Sequence, residues 1–206
     1  MMRNGHGCTV WFTGLPCSGK TTIAKRLETE LARRGVAVEL LDGDEIRKHF
    51  SAGVGFSKED RSNHLKRVAY LCHLLTKHGV VVLASFVSPY RENRDYARAL
   101  IGNGEVVTNG TFVEVYVNCP VEVCIQRDVK GMYKKALAGE IQQFTGVSDP
   151  YEEPPAPELV IHSNREPVET SVSRCLAYLE QQGIIPGLAR RRTRTQRVKE
   201  AAWLNQ

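Results

Sequence analysis

A doubly wound α/β fold, a parallel β-sheet with helices on both faces, is what this sequence predicts. Three observations carry it. Short apolar runs bounded by turn residues alternate with stretches of helical period. A complete glycine-rich phosphate-binding signature follows the first apolar run and opens the first helical stretch. The 206 residues, 42% of them hydrophobic, suffice for one domain with a single buried core.

In chain order, Cys8 to Thr13 reads as the first strand. A helix from Thr21 to Arg34 puts Ile23, Leu27 and Leu31 on one face, with Gly35 placed to stop it. Val36 to Leu41 is a second strand. Ser57 and Asp60 resemble a capping box for a helix running to His78, with Leu65, Val68, Cys72 and Leu75 inward and Gly79 closing it. Val80 to Phe86 is a buried third strand, followed by a helix from Tyr90 to Ile101 and a fourth strand from Phe112 to Val117. Val121 to Arg127 starts another helical segment. Leu159 to Ile161 gives a short fifth strand, and Pro167 suits the first turn of a last helix that Gly183 ends. The interval from Ala138 to Pro157, with two glycines and four prolines, breaks the rhythm. It reads as a flap, because a strand and a helix that complete the sheet follow it. The expected organisation is one domain over 1–187, with a mobile lid at about 128–157, and a basic tail over 188–206.

Composition narrows the function. Six cysteines lack CxxC spacing, so neither a zinc site nor a disulfide framework is expected. No apolar run is long enough to cross a bilayer and the first residues are polar, so a cytoplasmic protein is expected. The net charge of +5 resides in the tail, where Arg190, Arg191, Arg192, Arg194, Arg197 and Lys199 face a single acid, Glu200. With a neutral body, the chain is not expected to bind nucleic acid.

Gly14-Leu15-Pro16-Cys17-Ser18-Gly19-Lys20-Thr21 matches GxxxxGK[ST] in full, between a strand and a helix. Its backbone N–H groups would curl around the phosphates of ATP, with Thr22 continuing into the helix. Lys20 would neutralise the transferring phosphoryl as a solvated side chain serving charge and not packing, and the Thr21 hydroxyl is placed to ligate Mg²⁺. Guanine-nucleotide switches need an NKxD, which is absent, and the third strand ends in Ala-Ser-Phe without the acid of a helicase or transporter. Asp42 and Asp44 instead follow the second strand, at the end of the sheet where the P-loop lies. A kinase needs such a carboxylate to accept the acceptor's proton or to hold Mg²⁺, directly or through water; the alternative is that either acid caps the next helix.

A second anion could be held by Arg47, Arg61, Lys66 or Arg67 before the third strand, or by Arg91 and Arg94 after it, although most helical arginines are merely solvated. Phe56 and Phe144 lie in glycine-flanked polar loops, where a ring could stack on a base instead of joining the core.

These residues bring the chain to a resemblance. Over nearly all of 8–187 it resembles adenylylsulfate kinases, through GLPCSGKTT at 14–22, LDGDEIR at 41–47, GFSKEDR at 55–61, SFVSPYRENR at 85–94, and RDVKGMYKKALAGEIQQFTGVSDPYEEPPAPEL at 127–159. The resemblance implies a P-loop kinase fold and transfer of the γ-phosphoryl of ATP to the 3′-hydroxyl of adenosine 5′-phosphosulfate, with Mg²⁺. It makes Asp44 the base, supported by Asp42, and Phe56 and Phe144 the two sides of an adenine clamp. It gives Arg47 and Arg61 to the phosphosulfate, Arg127 to the ATP base, Ser88 to the transfer region, and Lys130, Lys134 and Lys135 to a closing lid. Transfer is expected to be direct, without a phosphoserine at Ser88. Two positions depart from the family: His64 and Glu45 stand where asparagine is usual, and His64 touches an acceptor contact. A homodimer and association with ATP sulfurylase are further implications. The rival readings are a P-loop kinase of another small acceptor, a non-catalytic nucleotide-binding regulatory domain, and a nucleic-acid-binding ATPase suggested only by the tail.

Overall fold

The computed structural model describes residues 7–50, 55, 57–102 and 111–187. Phe56 and the basic tail lie outside the described residues. The sheet has five parallel strands: β1 (Cys8–Thr13), β2 (Val38–Asp42), β3 (Val81–Ser85), β4 (Thr111–Asn118) and β5 (Leu159–His162), in the order β2-β3-β1-β4-β5. β1 is therefore central, and its end delivers the next residues to the middle of the sheet's C-terminal edge.

Strand alternation divides the core into two layers. Val10 and Phe12 of β1, Leu83 of β3 and Val115 of β4 pack against α1 (Lys20–Arg33) and α7 (Val168–Gln181). Trp11, Val82, Ala84 and Phe112 pack on the other face against α3 (Lys58–Lys77) and α4 (Arg91–Gly102). Burial on both faces explains why the strands read as continuous apolar runs. Gly35, Gly79 and Gly183 all have positive φ just beyond the helices they terminate. The Ser57 hydroxyl accepts from the Asp60 N–H at 3.1 Å, the expected N-cap of α3, and donates to the Asp60 carboxylate at 2.7 Å.

α2 (Gly43–Phe50) begins directly after β2. A Cβ at Gly43 would lie 3.1 Å from the Ser85 carbonyl oxygen and 3.2 Å from the Phe86 ring, so a larger residue there would make α2 or the end of β3 give by a few tenths of an ångström. Beyond α5 (Val121–Arg127) the sequence analysis assigned no regular structure before the flap. The chain forms one more helix, α6 (Met132–Leu137), because the Asp128 carboxylate accepts from the N–H groups of Tyr133 and Lys134, at 3.0 Å each, and so caps it. The segment from Ala138 to Pro157 carries neither helix nor strand, only a bridge between Thr145 and Asp149. A third small apolar cluster, with Cys124, Tyr133, Ala136 and Phe144 buried, packs this segment against Leu15 and Cys17 of the P-loop. All six cysteines are free thiols. No helix among the described residues is long and apolar enough to cross a membrane.

Candidate active site

The site is built at the C-terminal edge of the sheet. Gly14 leaves β1 at φ 146°, where a Cβ would come within 2.5 Å of the Val117 carbonyl oxygen; any other residue would push the loop off β4. Cys17 (φ 59°) and Gly19 (φ 101°) complete the curl, and α1 begins at Lys20. Lys20 is not solvated. It is 7% exposed, and its ammonium donates to the Gly14 and Leu15 carbonyls at 2.9 and 2.7 Å and to Ser18 Oγ at 3.3 Å. Burial lowers its pKa to about 8, with Asp42 and Asp44 among the groups opposing that shift. The sequence analysis missed this because it placed the lysine on the surface of the loop, whereas it lies within the loop's curl, surrounded by carbonyls.

The Thr21 hydroxyl donates to Asp42 Oδ2 at 2.7 Å and lies 3.2 Å from Ser85 Oγ. The other oxygen of Asp42 accepts from the Asp44 N–H at 3.0 Å. One carboxylate thus caps the first turn of α2, the helix-capping alternative of the sequence reading, while it also faces the P-loop. Hydroxyl and carboxylate oxygens are the donors Mg²⁺ prefers, and Thr21 with Asp42 fits an ion otherwise held by phosphates and water. Asp44 is exposed, and its carboxylate pairs with Lys130, which precedes α6.

On the acceptor side the structure redistributes the arginines. Arg47 donates to the Gly55 carbonyl at 3.0 Å. Arg61, 12% exposed, donates to Thr145 Oγ1 and Asp149 Oδ2, each at 2.9 Å, and to the Gln143 carbonyl. Arg94 is buried, its guanidinium held by the protein's own carbonyls and carboxylate. It donates to the Ser88 carbonyl at 2.7 Å and the Glu152 carbonyl at 2.6 Å. Its Nε lies 2.9 Å from Glu114 Oε1, an ion pair by distance without hydrogen-bond alignment. Phe144 is buried, edge-on to Tyr133 at 5.0 Å between centroids. Ser88 is buried at φ 39°, and its hydroxyl accepts from Trp11 Nε1 at 3.0 Å. Arg127 donates to the Ser163 carbonyl at 2.8 Å, and Ser163 Oγ donates to the Ser18 carbonyl at 2.6 Å, so both support the P-loop from behind. Lys134 and Lys135 are exposed on α6.

Several residues of this region escaped the sequence analysis: Thr13 and Tyr151, whose hydroxyls are 2.8 Å apart, Tyr133, which donates to the Pro16 carbonyl at 3.1 Å, and Tyr90 with Asp149. Thr13 and Tyr90 read only as the ends of a strand and a helix, and Tyr133, Asp149 and Tyr151 as polar or aromatic residues without periodicity.

His64 is buried, with its ring edge on Phe86 at 5.9 Å. Burial, reinforced by Arg47 and Arg67, lowers its pKa from 6.5 to about 4. Its imidazole is neutral at pH 7 and offers one donor and one acceptor, so it can make one bond of each kind that an asparagine amide makes. Between those two values the unfolded chain takes up a proton that the folded chain does not, so the contribution of His64 to stability is whole above about 6.5 and is withdrawn as pH falls towards 4. The melting temperature of His64→Asn is therefore expected to fall less between pH 7 and pH 5 than that of the wild type. Equal slopes in paired thermal melts would contradict a buried neutral imidazole.

Residues 6–162 match the family model described as adenylylsulphate kinase. An adenylyl-sulfate kinase of Halothermothrix orenii is 50% identical over 184 residues, covering 89% of this chain and 95% of the relative. A probable bifunctional SAT/APS kinase of Sorangium cellulosum is 47% identical and covers 87% of this chain, which corresponds to 30% of that longer protein. Among solved structures, the Mycobacterium tuberculosis APS kinase in complex with AMPPNP and APS superposes with a TM-score of 0.80 at 37% identity, covering 85% of this chain and 99% of that one.

Proposed function

The chain belongs to the adenylylsulphate kinase family, and from its geometry we propose how its own residues carry phosphoryl transfer from ATP to adenosine 5′-phosphosulfate. The observation that supports this most is the chain of contacts from Thr21 through the Asp42 carboxylate to the backbone of Asp44, which links the phosphate loop to an exposed carboxylate. The backbone of Gly14 to Thr22 cradles the ATP phosphates. Lys20, already inside the loop, exchanges carbonyl partners for phosphate oxygens. Thr21 and Asp42 hold Mg²⁺, directly or through water, which when bound neutralises phosphate charge.

Asp44 accepts the proton of the acceptor 3′-hydroxyl as its oxygen bonds the γ-phosphorus and the bond to the β-phosphate oxygen breaks, leaving ADP. Lys130 leaves the Asp44 carboxylate when the acceptor arrives and joins Lys134 and Lys135 over the phosphates. Arg47 and Arg61 hold the phosphosulfate, and Phe144 with Phe56 clamps the adenine. His64 supplies the contact an asparagine makes elsewhere in the family. Ser88, whose hydroxyl accepts from Trp11, shapes the transfer region, and transfer is direct, without a phosphoserine. Arg127 lies beside the ATP base. Residues 1–187 act as the kinase domain with the lid at about 128–157, in a cytoplasmic homodimer that works next to the ATP sulfurylase supplying its substrate.

With Mg-ATP, adenosine 5′-phosphosulfate is expected to be phosphorylated at the 3′-hydroxyl, and AMP to be poorer by about ten- to a hundredfold in kcat/KM. AMP presents the same base but leaves the arginines without the sulfate, and one charge-assisted bond is worth about 1.5–3 kcal/mol. A panel assay in which AMP, a nucleoside or a sugar reacts faster would leave a P-loop kinase with a different acceptor.

A further inference from the structure

Two features expected at opposite ends of the acceptor, the Arg61 guanidinium and the turn that carries Phe144, meet at one residue, Asp149, the first at its carboxylate and the second at its backbone. Asp149 is 14% exposed, and its Oδ2 accepts from Arg61 Nη1 at 2.9 Å. The Tyr90 hydroxyl donates to the same carboxylate, 2.8 Å from Oδ1 and 3.0 Å from Oδ2. The backbone of Asp149 closes the turn that carries the phenylalanine: its N–H donates to the Phe144 carbonyl at 3.1 Å and its carbonyl accepts from the Gly146 N–H at 2.9 Å. Arg61 reaches the same turn directly through Thr145 Oγ1 at 2.9 Å and the Gln143 carbonyl. Just beyond, the chain is fixed to the sheet, for Tyr151 meets Thr13 at 2.8 Å and the Glu152 N–H donates to the Pro89 carbonyl at 2.9 Å.

We propose that Asp149 is a positioning residue for the acceptor: it fixes the Arg61 guanidinium and the Phe144 turn as one body and ties both, through Tyr90, to the start of α4. This rests on the acceptor reading given above. Asp149 exerts two opposing effects. Its negative charge weakens the pull of Arg61 on an anion, while its bonds spare the acceptor the cost of ordering a long flexible side chain and a loop. Ordering dominates, because the carboxylate bonds both a guanidinium and a phenol within an almost buried cluster and so restrains two segments 88 and 59 residues away in sequence.

The test is steady-state kinetics with adenosine 5′-phosphosulfate and ATP varied in turn. Asp149→Asn is expected to raise the acceptor KM about tenfold while the ATP KM and kcat stay within threefold of wild type. Tyr90→Phe, which removes only the phenol's bonds, should raise the acceptor KM about threefold. In an Arg61→Ala background, Asp149→Asn should raise the acceptor KM by clearly less than the tenfold it causes alone, because the part of its effect that passes through Arg61 is already lost. An unchanged or lowered acceptor KM, a parallel rise in both KM values, or full additivity on Arg61→Ala would overturn the proposal. Should Asp149→Asn fail to fold, an unchanged acceptor KM in Tyr90→Phe overturns it equally. A wild-type enzyme that does not phosphorylate adenosine 5′-phosphosulfate would remove the acceptor reading and this proposal with it, whereas a wild type that does, beside an insensitive Asp149→Asn, removes the proposal alone.

Discussion

Replacing Lys20 by alanine is expected to leave about a thousandth of wild-type turnover or less in a protein that still folds. Removing one preorganised donor from a developing phosphoryl charge costs on the order of 10²–10³ in rate, and a full positive charge in a water-poor loop is worth more than a neutral donor. Lys20 is such a charge: it lies in the P-loop with three oxygen partners, and burial has lowered its pKa to about 8. The variant takes one partner from the Gly14 and Leu15 carbonyls and opens no cavity in either main core layer, to which Lys20 does not belong. Its melting temperature should therefore drop by only a few degrees. Retention of more than a tenth of the wild-type rate, with the fold verified by circular dichroism, would count decisively against the site.

Asp44→Asn is expected to lower kcat by on the order of 10²–10⁴ while the affinity for ATP changes less than about threefold. A proton acceptor is needed only as the hydroxyl attacks, so its loss appears in turnover and not in nucleotide binding. The surroundings of Asp44 make this a clean experiment. The side chain is exposed on the first turn of α2 and pairs with Lys130, and an exposed pair contributes about 0–1 kcal/mol to folding. If the ATP dissociation constant rises steeply while turnover at saturation survives, Asp44 holds metal or structure instead of a proton.

What was legible in the sequence was local. Cys8 to Thr13 is apolar and ends at the first glycine of the phosphate loop, so β1 and the loop announce each other. Ser57 and Asp60 are three residues apart and bond as that spacing requires. Gly35 and Gly183 stop helices because positive φ costs them little. What escaped were pairings between residues far apart, which no periodicity encodes. Arg94 looked like an anion ligand until the Ser88 and Glu152 carbonyls enclosed it, and Arg61 became a partner of Asp149 across 88 residues. α6 was hidden because its capping group, Asp128, sits five residues before the N–H of Tyr133, an unusual reach for a cap. Phe144 reads in sequence as an aromatic in a polar loop, whereas its burial and edge-on packing on Tyr133 depend on α6 being there.

The supports of the phosphate loop also set an order for its birth on the ribosome. The loop sequence is translated early, yet Ser18 is braced by Ser163, 145 residues later, and Thr13 by Tyr151, 138 residues later. Neither neighbour of β1 in the sheet is β2; both, β3 and β4, are made after it. A nascent chain therefore carries the phosphate-binding sequence long before it can hold that loop in shape, and contacts of such range close late. Nucleotide is therefore expected to capture a sheet that is already nearly complete and not to template folding from the first elements, so premature chain termination anywhere before β5 should yield products without affinity for ATP.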